Sequence, residues 1–255
     1  MPDTVHWSGE VAFVTGALGS IGGAIAADLA ARGAAVATCD MPDKAAPPNA
    51  RCYHRVDVAQ SAEVDAWVRA AAGICGPPTI GIICAGLSIP GRLTEASDAD
   101  WSRVIDVNLT GAYYTARAIV RQMLIAKVPG RLVFIGSWAA HAPHPHIGAY
   151  SASKAGLRAL VQTFALELAE KGILVNEVAP GIVDGGLSRE LFRRDPALEA
   201  RTRGAIPADR IIAPESVARD VAFLASPANR HTTGSVLVSD GGLSLASVMN
   251  PGRHP

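Results

Sequence analysis

Tyr150 and Lys154 stand four residues apart in the stretch Tyr-Ser-Ala-Ser-Lys, with Ser137 thirteen residues upstream. On a helix that spacing stacks a phenol and an ammonium on one face. A phenol titrates near pH ~10, so exchanging a proton at neutral pH requires its anion to be stabilised by about 4 kcal/mol. A lysine one turn away is a source of that stabilisation. The same spacing also occurs on helix surfaces with no chemistry between the two residues, so the elements around the pair decide what it is for.

Six short apolar runs read as strands: Val11 to Thr15, Ala35 to Cys39, Ile80 to Cys84, Leu132 to Ile135, Leu174 to Val178 and Val236 to Val238. They are nearly continuous in Val, Ile and Ala, as expected of a parallel sheet covered by helices on both faces. Helical stretches fall between them, including Ile21 to Arg32, Asp98 to Lys127 and Tyr150 to Lys171, the last closed by Gly172 in the position of a C-terminal cap. The alternation predicts an α/β fold: a doubly wound, Rossmann-type, mostly parallel sheet with helices on both faces, in one domain over residues 1–255. No linker and no repeat of about 20–50 residues interrupts it. The stretch 185–210 breaks the alternation, is rich in Arg and contains Pro196 and Pro207. It has two readings, a flap over a site or a solvated pair of surface helices.

Thr15-Gly16-Ala17-Leu18-Gly19-Ser20-Ile21-Gly22 follows the first strand and opens the first helix. Glycines let the backbone approach a pyrophosphate, and a helix N-terminus presents free N–H groups and the positive end of its dipole. A plain tight turn needs one glycine rather than three. Gly16, Gly19 and Gly22, with Ser20 and Ile21, are therefore the candidate dinucleotide cradle. Asp40 ends the second strand, eighteen residues after Gly22. A carboxylate there accepts hydrogen bonds from an adenosine ribose diol and repels a 2′-phosphate, and no arginine neighbours it to hold that phosphate. The expected cofactor is NAD rather than NADP.

Charge and composition narrow the partners. Lys plus Arg equal Asp plus Glu at 23 each, so no basic field steers the chain onto nucleic acid or anionic lipid. Neither nucleic acid nor a membrane is expected as a partner. Of the 255 residues, 49% are apolar, enough for a sizeable core. Cys39, Cys52, Cys75 and Cys84 form no Cys-x-x-Cys pair and no metal-ligand spacing, and read as reduced core residues. The first ten residues lack a basic start followed by an apolar stretch, and no run approaches the ~20 apolar residues of a membrane span. A soluble cytoplasmic protein is the expectation.

The glycine loop, Asp57-Val58, Asn108, Ser137, Tyr150-x-x-x-Lys154, Pro180-Gly181 and Asp240-Gly241-Gly242, in this order, resemble the short-chain dehydrogenase/reductase family in its compact single-domain branch. The resemblance runs from about Val11 to Gly242 and implies a catalytic set of Asn108, Ser137, Tyr150 and Lys154. Tyr150 would be the general acid/base at the substrate oxygen and Ser137 a donor to it. Lys154 would bind the nicotinamide ribose and favour the phenol anion, and Asn108 would hold a proton-relaying water. A developing alkoxide needs preorganised donors, and Ser137 with Tyr150 supplies two. The resemblance further implies cofactor contacts from Asp57, Val58, Ala85, Gly86, Tyr150, Lys154, Pro180, Gly181 and Val183. It implies no metal, and a homo-oligomer, dimer or tetramer.

Three positions depart from the family pattern. Ser20 stands where the compact branch has a glycine, and its hydroxyl or amide is expected to donate to the pyrophosphate. Ile83-Cys84-Ala85-Gly86 replaces Asn-Asn-Ala-Gly after the fourth strand, so the sheet-stabilising hydrogen bonds of those polar side chains are replaced or absent. Gly185 stands where a Thr commonly touches the nicotinamide carboxamide, which leaves that group to the backbone of Val183.

By the family's plan residues 138–149 line the substrate side. His141, His144 and His146 lie close together, but prolines break any regular face and no Cys or carboxylate joins them, so no metal is expected. Expected substrate contacts are Ser137 and Tyr150 with Trp138, His144 and the flap residues Leu187, Leu191 and Phe192. An apolar, aromatic wall suits a small-molecule secondary alcohol or ketone with a hydrophobic or aromatic body. Arg189, Arg193 and Arg194 admit a second reading, an anionic substrate or an acyl-carrier protein, as in a 3-oxoacyl-acyl-carrier-protein reductase. A third is a catalytically silent dinucleotide-binding module, against which the complete catalytic set stands.

Overall fold

Every residue of β1 (Val11–Thr15), β4 (Ile80–Ile83) and β5 (Gly130–Ile135) is buried. These runs carry no polar alternation because both of their faces meet helices. The computed structural model describes residues 7–41 and 46–249. It joins the three strands to β2 (Ala35–Asp40), β3 (Cys52–Arg55), β6 (Ile173–Pro180) and β7 (Val236–Ser239) in one sheet of order β3-β2-β1-β4-β5-β6-β7. All six pairings are parallel.

One face is covered by α1 (Ser20–Ala31) and α8 (Pro214–Ala225), whose Ile25, Leu29, Val217 and Val221 pack with Val14, Val36, Ile82 and Val133. The other carries α2 (Ser61–Cys75), α4 (Gly111–Ala126) and α5 (Gly148–Leu168), which set Trp67, Ile119, Met123, Leu157 and Val161 against Phe13, Leu132 and Phe134. The fold is the expected doubly wound α/β sheet. Its order reverses between β1 and β4, and that reversal opens a crevice at the carboxyl ends of the strands.

Three elements differ from the expectation. β3 was not marked by hydropathy, because Cys52-Tyr53-His54-Arg55 lies half-exposed at the sheet edge and is held by its pairing with β2. The helix expected from Asp98 to Lys127 contains α3 (Asp98–Ile105), a π-helical turn at Asp106–Thr110, and then α4. α5 gives way at Ala169–Lys171 to a 3₁₀ turn, after which Gly172 turns left-handed at φ +72° as the cap.

The stretch 185–210 forms α6 (Gly186–Arg194) and α7 (Pro196–Ala205), and α9 (Leu243–Met249) follows the last strand. A small apolar cluster of Trp138, Ile206 and Leu243 joins the end of α7 and α9 to a 3₁₀ turn at Trp138–Ala140. Among the described residues no helix is long and apolar enough to cross a membrane.

Trp67 is 2% exposed, with its ring centre 5.7 Å from that of Phe13. In urea titrations Trp67→Ala is expected to lower the unfolding free energy by about 3–5 kcal/mol. Ile74→Ala, on the exposed side of the same helix, is expected to change it by about 0.5 kcal/mol or less.

Candidate active site

The carboxyl ends of the strands surround a cleft of about 820 Å³. At one end Gly16, with φ +69°, turns the chain so closely onto the end of β4 that a Cβ there would lie 2.9 Å from the Ala85 Cα. A Cβ on Gly22 would overlap the Gly16 carbonyl. The cap of α1 is Gly19, which has no side chain to offer, and the first turn holds no acid. The first N–H groups of α1 thus open on the cleft, which Gly16, Gly19, Ser20, Ile21 and Gly22 line. This donor set fits a diphosphate.

Asp40 lines the same cleft. One of its carboxylate oxygens accepts the Leu18 N–H at 2.8 Å and the other the Met41 N–H at 2.7 Å, which fixes its plane. Lone pairs remain for a diol. The expectation that no arginine neighbours Asp40 is corrected by the sheet: β3 sets Arg55 opposite Asp40, and its Nε donates to the Met41 carbonyl at 3.1 Å. Asp57 and Val58 also line the cleft, and Asp57 accepts the Ala59 N–H and a 3.2 Å bond from Arg103 of α3.

The Thr15 hydroxyl accepts the N–H groups of Cys84 and Ala85 at 3.0 and 3.1 Å. These two bonds tie the turn through Ala85 and Gly86 to β1. Burial pushes the Cys84 thiol up to about 12 despite the nearby Lys154, so the wall there is a neutral thiol.

One residue past Gly86, Asn108 grips Leu87 from both sides, accepting its N–H at 2.9 Å and donating to its carbonyl at 2.8 Å. Its second amide hydrogen goes to Ser153 Oγ at 3.1 Å. The π turn places Asn108, 1% exposed, beneath this loop. Asn108 therefore stands behind the cleft wall, with both side-chain amide hydrogens taken.

Ser137 follows β5, and its Oγ accepts the Ala139 N–H at 3.2 Å while its O–H stays available. Tyr150 enters from the first turn of α5 and makes no hydrogen bond through its hydroxyl among the described residues. Lys154, buried one turn on, donates to the Ile135 carbonyl at 2.7 Å and lies 5.7 Å from the Tyr150 ring centre. Two of its three ammonium hydrogens remain for a ligand. Ser137, Tyr150 and Lys154 line one cleft with the glycine loop and with Pro180, Gly181 and Val183.

A family model described as enoyl-(acyl carrier protein) reductase matches residues 16–244. The chain is 35% identical over 247 residues to 3beta-hydroxysteroid dehydrogenase 1 of Eggerthella lenta, across 93% of this chain and 94% of that protein. It belongs to the short-chain dehydrogenase/reductase family. It is also 32% identical over 262 residues to (3R)-3-hydroxyacyl-CoA dehydrogenase of Canis lupus familiaris, across 96% of this chain and all of that one (100%). Among solved structures, a variant of actinorhodin polyketide ketoreductase with NADPH is similar with a TM-score of 0.87 and 30% identity, over 92% of this chain and 97% of that one. A putative 2-deoxy-d-gluconate 3-dehydrogenase from Agrobacterium tumefaciens with bound NADP gives 0.84 and 30%, over 94% and 98%. This short-chain dehydrogenase/reductase is thus an oxidoreductase acting on hydroxyl or keto groups, in a family that binds a nicotinamide dinucleotide.

In this short-chain dehydrogenase/reductase the expected substrate residues part company. Ser137 and Tyr150 line the large cleft, but Trp138 is buried in the cluster with Ile206 and Leu243. His144 packs edge-on to Trp138 at 5.9 Å and lines a separate cavity of about 390 Å³. Phe192 is buried beside a cavity of about 460 Å³ under α6 and α7. Leu187 and Leu191 lie on α6, and their side chains are outside the described residues. Arg189 is tied to Asp184, with Nε 3.0 Å from its carboxylate and Nη2 2.9 Å from its carbonyl. The stretch 185–210 reaches the large cleft through Gly185, Gly186 and Ser188. Among the described residues no group of His, Cys, Asp and Glu is placed to hold a metal ion.

Two of the departures from the family pattern meet in space. A Cβ on Gly185 would overlap the hydroxyl and the Cβ of Ser20, so no rotation of the hydroxyl alone would relieve it. Gly185→Ala is expected to lower the melting temperature and weaken dinucleotide binding, and Ser20→Gly in the same chain to restore both. Calorimetry over the four-member mutant cycle should give a coupling of about 1–3 kcal/mol; additive effects would overturn the pairing.

Proposed function

We propose that this protein is an NAD(H)-dependent dehydrogenase of secondary alcohols, reducing the ketone in reverse, for substrates with a hydrophobic or aromatic body. The observation that carries the reading is the single cleft shared by Ser137, Tyr150, Lys154, the glycine loop and Asp40. In this reading the loop from Gly16 to Gly22 holds the diphosphate and Asp40 the adenosine ribose diol. Tyr150 and Lys154 hold the nicotinamide ribose, and Ala85, Gly86, Pro180, Gly181 and Val183 wall the nicotinamide end.

When bound, the nicotinamide accepts the hydride in oxidation and supplies it in reduction. Tyr150 takes the hydroxyl proton of the alcohol and returns it to the ketone oxygen in the other direction. The Ser137 O–H holds that oxygen while its charge develops. The Lys154 ammonium favours the Tyr150 anion and, through its remaining hydrogens, the ribose.

Asp40 supports NAD(H), because its fixed carboxylate repels a 2′-phosphate. The names of a steroid dehydrogenase and a hydroxyacyl-CoA dehydrogenase among the relatives support a hydrophobic substrate body. Arg55 beside Asp40, and neighbours solved with NADPH and NADP, favour a second reading, an NADPH-dependent 3-oxoacyl reductase. Exposed Leu166 on α5 and Val238 on β7 support assembly into a homo-oligomer.

Fluorescence titrations should give a dissociation constant for NADH at least about tenfold below that for NADPH. Oxidation should then be followed with 1-phenylethanol, a 3β-hydroxysteroid and a 3-hydroxyacyl-CoA. Tyr150→Phe is expected to lower kcat by about 10²–10⁴-fold with NADH affinity retained. Tight NADPH with weak NADH binding overturns the cofactor assignment, and an unaffected Tyr150→Phe rate overturns the mechanism.

A further inference from the structure

Behind the Ser137 turn lies a buried ion pair that the proposed chemistry does not use. Arg158, eight residues after Tyr150 on α5, forks onto Glu177 of β6 with Nε and Nη2 at 3.1 and 3.0 Å. The Glu177 side chain is 0% exposed and that of Arg158 18%. The Glu177 carboxylate fills the space over Gly136, where a Cβ would overlap it. Gly136 immediately precedes Ser137 and donates its N–H to the Val178 carbonyl at 2.8 Å, continuing the ladder to β6.

On the other side of Ser137, His141 closes the 3₁₀ turn, donating its N–H to the Trp138 carbonyl at 2.8 Å. Its Nδ1 lies 3.2 Å from Arg158 Nη1. Burial and then the Arg158 charge hold His141 below the usual imidazole range, so Nδ1 is a neutral acceptor. The two ends of the Ser137 segment therefore rest on the two halves of one ion pair. Its arginine belongs to the helix that carries Tyr150 and Lys154.

We propose that Arg158 and Glu177 are positioning residues that fix the Ser137 hydroxyl relative to Tyr150. The proposal rests on the reading of Ser137 as a donor to the substrate oxygen. A planar guanidinium fork sets direction as well as distance, and a lysine ammonium reproduces the charge without the direction.

The test is a mutant cycle on kcat, using whichever of the three alcohols named above is turned over fastest. Arg158→Lys is expected to lower kcat about tenfold and to leave the KM for the dinucleotide within about twofold. In a Ser137→Ala background the same substitution should change kcat less than about twofold, because the group it positions is gone. If circular dichroism shows Arg158→Lys unfolded, Arg158→Met/Glu177→Met, which leaves neither charge buried alone, carries the same cycle. Equal losses in both backgrounds overturn the positioning role and leave Ser137 in place. An unchanged kcat for Ser137→Ala removes the role of Ser137 and the proposal with it.

Discussion

Both faces of the sheet are covered by helices, so a polar group on an inner strand has no water to act on until the strand ends. That constraint decides where chemistry can happen. Thr15 is the last residue of β1, Asp40 of β2 and Pro180 of β6, while Cys84 and Gly136 are the first residues after β4 and β5. An inner strand can be largely apolar and still meet the cleft at its end, because the end is where it leaves the packed layer. The reversal of strand order beside β1 then gathers these ends around one crevice.

The helices add what strand ends cannot, side chains that reach inward and are anchored. Polar groups drawn this deep need partners, since a buried unpartnered donor or charge costs more than the bond it could have made. Lys154 meets the Ile135 carbonyl, Asn108 meets Leu87 and Ser153, and Arg158 meets Glu177. These bonds hold the cleft's walls at fixed distances without filling the cleft. Asn108 shows the division of labour: its amide organises the loop through Leu87 and leaves the surface of the cleft to others.

What was legible in the sequence was what depends on near neighbours. Strand runs, the glycine loop, and Tyr150 with Lys154 one turn apart are set by local periodicity, and the structure places them as read. β3 was not legible because an edge strand is specified by its pairing with β2, and its residues Cys52 to Arg55 form no apolar run. Arg55 beside Asp40, fifteen positions away along the chain, follows from that same pairing. Trp138 and His144 were assigned to the substrate because they sit between Ser137 and Tyr150 in sequence. The apolar cluster with Ile206 and Leu243 recruits Trp138 instead, a choice made by residues some 70 and 105 positions downstream. The π turn at Asn108 likewise has no sequence period of its own.

The contact between Ser20 and Gly185 imposes an order on change. A side chain added at position 185 while serine fills the space forces a clash, whereas reducing serine to glycine first leaves only a small void. A lineage passing between this pairing and one with a bare position 20 and a larger residue 185 therefore has one route without a clash, through a chain with glycine at both. The same route, walked in the laboratory, is the way to graft a larger residue at 185 onto this scaffold.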